Sequence, residues 1–158
     1  MATSHLLDIG PLLTGGRQSL RVDQAVPLEP FEGITFAAPA HVRLEIKRVD
    51  RLLGIAGEVE VEASGECSRC LTAVTMPMRV DVEEQLEASV PSKDDPFSES
   101  NVLSGDRLDV ADLAKQVVCS AVPLRVLCGE NCRGLCGVCG QNYNTGACSC
   151  TGDTSGQP

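Results

Sequence analysis

Aromatic residues are scarce in this sequence: no Trp, one Tyr and three Phe among 158 residues. Without stacking faces the chain offers no platform for single-stranded bases, and its core must be built from Val, Leu, Ile, Ala and Met. Cations are also few. Thirteen Lys and Arg against 22 Asp and Glu leave a formal charge of −9, which argues against a protein that lives by neutralising phosphates and favours a basic partner or plain solubility. No apolar run approaches the ~18 residues of a membrane-spanning helix. The opening Met-Ala-Thr-Ser-His-Leu-Leu-Asp has neither a basic region nor a long apolar run, so no secretory signal is expected and a cytoplasmic home is. Histidine is limited to His5 and His41, far apart and beside no recognisable nucleophile, and no glycine-rich loop leads into an apolar helix. No enzyme is expected from such a set.

Cysteine, by contrast, is abundant. Six of the nine thiols fall between Cys128 and Cys150, at positions 128, 132, 136, 139, 148 and 150, and two more form Cys67-Ser-Arg-Cys70. A two-residue spacer lets both sulfurs of a CxxC turn face one ion, and Gly140 just after Cys139 relieves the tight turn that follows. In a reducing compartment such thiols are metal ligands sooner than disulfides. Thiolates suit zinc or an iron–sulfur cluster.

Two partitions compete. In the preferred one Cys136, Cys139, Cys148 and Cys150 hold one zinc ion, while Cys67, Cys70, Cys128 and Cys132 hold a second that staples the sheet to the C-terminal segment. In the other a single site forms and the remaining thiols stay free. Four thiolates per zinc leave no open position for water, which again points away from catalysis. Cys119 stands apart and reads as a small buried hydrophobe.

Residues 1 to 40 suggest short strands and turns, broken by Gly15-Gly16, Pro27, Pro30 and Pro39. Alternation then sharpens. Val42, Leu44 and Ile46 alternate with Arg43, Glu45 and Lys47; after a connection at 50–54, Ile55, Val59, Val61 and Ala63 alternate with Glu58, Glu60 and Glu62. Gly57 sits on the apolar parity, where a bulge would fit. Met76, Met78, Val80 and Val82 announce a third strand, so Cys67–Cys70 belongs to a turn in an antiparallel meander. Pro77 suits an edge or a bulge. Residues 87–106 read as a polar loop; ten acids between Asp81 and Asp112 face only Lys93 and Arg107. The spacing of Val110, Leu113, Ala114, Val117, Val118 and Ala121 predicts a helix over 110–121, capped by Asp109 and stopped by Pro123. The expected architecture is α+β: a β-rich body with acidic loop and one packing helix (1–122), a zinc-stapled cysteine-rich segment (123–150) and a disordered tail (151–158).

Gly65-Glu-Cys67-Ser-Arg-Cys70-Leu71 after a hairpin, Pro123-Leu124, Leu127-Cys128, Cys132-Arg-Gly-Leu-Cys136, Cys139-Gly140, Asn142, Asn144 and Cys148-Ser-Cys150 in this order resemble the YceD family, over about Phe36 to Cys150. The chain departs from the common family pattern at Gly137, where proline is usual, and at Tyr143, where leucine is. The resemblance implies a role in accumulation of large-subunit ribosomal RNA. On that footing the expected partner is a basic large-subunit ribosomal protein or a pre-ribosomal particle, with direct RNA contact weak or indirect. Two rivals are a zinc-thiol redox sensor or holdase, which needs exposed low-pKa thiols near cations, and a direct RNA binder, for which only Arg43, Lys47, Arg48 and Arg51 offer a basic field.

Overall fold

The computed structural model describes residues 5–87 and 103–150. In chain order they form β1 (Leu6–Asp8), α1 (Gly10–Leu13), β2 (Ser19–Val26), β3 (Thr35–Phe36), β4 (Ala40–Val49), β5 (Leu52–Glu66), β6 (Ala73–Glu87), β7 (Leu103–Ser104), β8 (Arg107–Asp109) and α2 (Val110–Ala121). Antiparallel strands predominate, and the α+β expectation holds.

The main sheet is built on the 15-residue β5. One of its edges pairs with β4 over residues 52–60 and then with β3 at Ala63 and Ser64; the other pairs with β6 along its whole length, and β2 lies outside β4. The period-2 alternation sets this register. Val42, Leu44, Ile46, Leu53, Ile55, Val59 and Val61 are buried on one face, while their charged neighbours stand on the other. Helix α2 lays Val110, Leu113, Ala114 and Val118 on the buried face, and the small sheet β1-β8-β7 closes the core beside it. The Asp109 side chain accepts from Ala111 N–H and Asp112 N–H, each at 3.0 Å, which is the expected N-cap.

Several expectations need correction. The β4–β5 hairpin turns on only Asp50 and Arg51, with Asp50 at φ 56°, because Leu52 already pairs with Val49. Pairing runs unbroken through Gly57, so no bulge forms. A Cβ there would lie 2.0 Å from the Arg43 carbonyl oxygen, at a φ of 154°, and only glycine fits. Pro77 lies in β6, which has β5 as its strand partner among the described residues, so the edge placement holds. The expected short strands and turns before residue 40 include the eight-residue β2 and the one-turn α1, which adds a second helix to the one expected. Of the expected loop 87–106, residues 88–102 lie outside the described residues, but β7 and the turn at Gly105 extend β8 into a hairpin. The expected disordered tail, 151–158, also lies outside them.

Candidate metal centres

The end of β5 delivers the first pair of thiols. Cys67 N–H donates to Thr72 O (2.8 Å) and Leu71 N–H to Cys67 O (2.9 Å), a tight turn that Leu71 completes at φ 59° and that aims both sulfurs back across the strand ends. Ser68 N–H donates to Val126 O (2.8 Å), which draws the segment after α2 alongside. That segment brings Cys128 and Cys132, the latter held by its N–H on Gly129 O (3.1 Å). Cys67 Sγ lies 3.7 Å from Cys132 Sγ, and Cys70 Sγ lies 3.5 Å from Cys128 Sγ. All four sulfurs fall within 4.8 Å of one another. A tetrahedral ion with Zn–S bonds of about 2.3 Å needs sulfurs about 3.8 Å apart, so this cage takes one such ion. A four-iron cluster, with one thiolate on each of four separate irons, needs a wider one.

Cys136, Cys139, Cys148 and Cys150 form the second foursome, again within 4.8 Å. Gly140 at φ 72° donates its N–H to Cys136 O (2.9 Å), Val138 N–H points at Cys136 Sγ (3.4 Å), and Cys136 N–H donates to Gln141 O (2.8 Å). The two foursomes are the sets expected from the sequence. Cys119 is in neither; it is half-buried on α2, where burial pushes its thiol up.

The electrostatics suit a cation. Burial alone would raise Cys67, but N–H groups of Arg69, Cys128 and Cys70 outweigh it and bring the thiol down to about 6. The Tyr143 hydroxyl and the Cys139 and Val138 N–H groups bring Cys136 down to about 6 as well. Their neighbours go the other way: Cys70 and Cys132 push Cys128 up to about 12, and Cys139 pushes Cys150 up to about 12. Crowded sulfurs cannot all ionise by themselves, and a dication in the cage removes that conflict. Each donor set is all sulfur and complete at four, which fits a closed structural centre.

The cations expected to form a basic field are largely occupied. Arg43 meets Glu58 at 2.6 Å and Glu60 at 2.9 Å, Lys47 meets Glu45 at 2.8 Å, and Arg48 donates to the carbonyls of Asp50, Leu12 and Leu13. Arg51 is exposed at the hairpin tip. His41 Nε2 sits 2.7 Å from Asp23 Oδ1, on the same outer face and away from the thiols.

A sequence model of the family described as "Large ribosomal RNA subunit accumulation protein YceD" matches residues 55–158, a span that takes in both foursomes. The chain belongs to the YceD family. A curated relative, an uncharacterized protein of Mycobacterium leprae (strain TN), is 29% identical over 110 residues, covering 68% of this chain. The chain spans half the length of that relative. No solved structure matches. No helix among the described residues is long and apolar enough to cross a membrane. Sequence reasoning missed the polar groups around the sulfurs: Thr72, Asn142 and Asn144 each reach the first foursome or its partners. The Asn-x-Asn pattern was visible, but nothing in it said which centre it faces.

Proposed function

We propose that this YceD-family chain is a non-catalytic accessory factor that supports accumulation of large-subunit ribosomal RNA by binding a basic ribosomal protein or a precursor particle, with two zinc ions as structural staples. Membership of the family over residues 55–158 carries the reading. The first zinc, on Cys67, Cys70, Cys128 and Cys132, ties the β5–β6 turn to the C-terminal segment; the second, on Cys136, Cys139, Cys148 and Cys150, organises that segment itself. Zinc supplies rigidity here, since a closed tetrathiolate leaves no position for substrate. Acidic groups on β6 and α2 supply negative charge for a basic partner, with Asp81 and Glu83 on the outer face of the sheet, Glu84 on its other face and Asp112 in the first turn of α2.

The redox rival is weakened because the two thiols held near 6, Cys67 and Cys136, are buried, and the Arg69 guanidinium is spent on the Cys132 carbonyl oxygen (3.0 Å). Affinity purification of the full chain at low and high salt, with identification of protein and RNA, tests the proposal. A large-subunit protein or precursor that leaves as salt rises is expected. Recovery of unrelated unfolded clients, or none but oxidised dimers of the chain, would overturn it.

A further inference from the structure

The tripeptide Asn142-Tyr143-Asn144 lies in the spacer between Cys139 and Cys148, so by sequence it belongs to the second centre. Its side chains divide. Asn144 Nδ2 donates to Cys132 Sγ of the first foursome at 3.2 Å. The amide orientation is fixed, because Asn144 Oδ1 accepts from Arg133 N–H at 2.9 Å, a group that only donates. Asn142 is fixed in the same way: its Oδ1 accepts from Asn144 N–H (2.9 Å), which leaves Nδ2 to donate to Thr72 Oγ1 (3.4 Å). Thr72 Oγ1 in turn lies 3.3 Å from Cys70 Sγ. As a thiol, Cys70 donates to that oxygen; once the sulfur is an ionised ligand without a proton, the Thr72 hydroxyl donates to it instead. Tyr143 faces the other way, with Oη 3.6 Å from Cys148 Sγ of the second foursome.

We propose that Asn142-Tyr143-Asn144 is a coupling bridge, in which the loop of the second metal centre supplies the hydrogen-bond donors that position and neutralise the thiolates of the first. Asn144 and the Asn142–Thr72 pair act on the first centre, Tyr143 on the second. Donors to metal-bound thiolates disperse their charge and hold the sulfurs in place, and loss of such outer contacts typically weakens metal binding ten- to a hundredfold. The two centres therefore load as one unit: folding the 136–150 loop around its own ion carries Asn142 and Asn144 to the first cage. Tyr143 gives this chain a hydroxyl on the second side, within reach of Cys148 Sγ.

The inference rests on the metal-binding reading, and its test separates the two. The full chain is loaded with cadmium-113, whose resonance reports thiolate surroundings, and two lines are expected; the line lost in Cys150→Ser is that of the second centre. Asn144→Asp is the informative variant. It keeps the oxygen that Arg133 N–H needs, but sets an oxygen in place of the donor at Cys132 Sγ. The first-centre line should move, and chelator competition with zinc should show that ion ten- to a hundredfold easier to remove. Thr72→Val should move the same line without adding charge, while Tyr143→Phe should move the second. Cys150→Ser should also weaken the remaining first centre. Unchanged lines and affinities in Asn144→Asp and Thr72→Val, or a first centre indifferent to Cys150→Ser, would overturn the coupling while leaving the metal centres standing. Absence of both lines in the unaltered chain would overturn the metal reading, and the coupling with it.

Discussion

A thiol becomes a ligand only by losing its proton, so the metal centres compete with acid. Cys67 and Cys136 are already ionised above about 6, whereas Cys128 and Cys150 hold their protons up to about 12 until a cation displaces them. Loading at neutral pH should therefore release protons, and zinc affinity should fall steeply as pH drops through 6, where Cys67 and Cys136 also take up protons. Calorimetry in buffers of different ionisation enthalpy measures that release; zinc uptake with no proton release at pH 7 would contradict the ligand assignment. The same sulfurs predict two distinct mutant behaviours. Cys136→Ser should loosen the C-terminal segment and spare the sheet, while Cys70→Ser, at the β5–β6 turn, should loosen both. Structural zinc contributes on the order of 10 kcal/mol in small modules, so loss of a ligand should appear as local unfolding in peptide-resolved hydrogen exchange. Equal protection in both variants and the parent would mean that the thiols are not ligands.

At the scale of elements, legibility followed the clarity of the period. Strands β4, β5 and β6 were readable because their apolar and charged side chains alternate over long runs, and α2 because its 3.6-residue stripe has an Asp cap and a proline stop. Strand β2 was not. Gln24 stands on the inward parity between Val22 and Val26, half-buried, and breaks the alternation that would have announced the strand. Helix α1 is a single turn with Pro11 at its start, too short to show a period. Gly57 was legible as an anomaly and misread as to cause: the sheet needs not an extra residue there but a missing Cβ. Gly57→Ala should accordingly destabilise the body by about 2 kcal/mol or more, because the methyl meets backbone and not a yielding side chain. Denaturant unfolding of the zinc-loaded chain would measure it. A loss below about 0.5 kcal/mol, the range of ordinary surface substitutions, would show that β4 and β5 can part locally.

For the whole molecule the balance of charge decides what can bind. The thiol foursomes were legible from spacing and count alone, but the fate of the cations was not, since Arg43 meets Glu58 and Glu60 only when β4 lies beside β5. Arg79 of β6 also pairs with Glu58, so these arginines on the outer face of the sheet are neutralised, and they hold the Glu58 carboxyl below its usual range, Arg79 first. Two tetrathiolate centres add eight negative charges and four positive, taking the formal −9 to about −13. Among the described residues the cluster of cations left for phosphate is at the end of the β4–β5 hairpin, where Arg17 lies near Arg48 and Arg51 is exposed, while Arg125 and Arg133 stand exposed in the segment after α2. A cluster of three cations releases few counterions, so protein-free ribosomal RNA should bind there at roughly 10 μM or weaker at physiological salt, with a slope of log affinity on log salt of about −2 to −3. A basic large-subunit protein or precursor should bind more tightly under the same conditions. Titration of both at matched salt decides between them. Submicromolar affinity for the RNA alone, abolished by reversing Arg43, Lys47, Arg48 and Arg51, would mean that the ion pairs of the sheet open to admit phosphate, and would make the chain a direct RNA-binding protein.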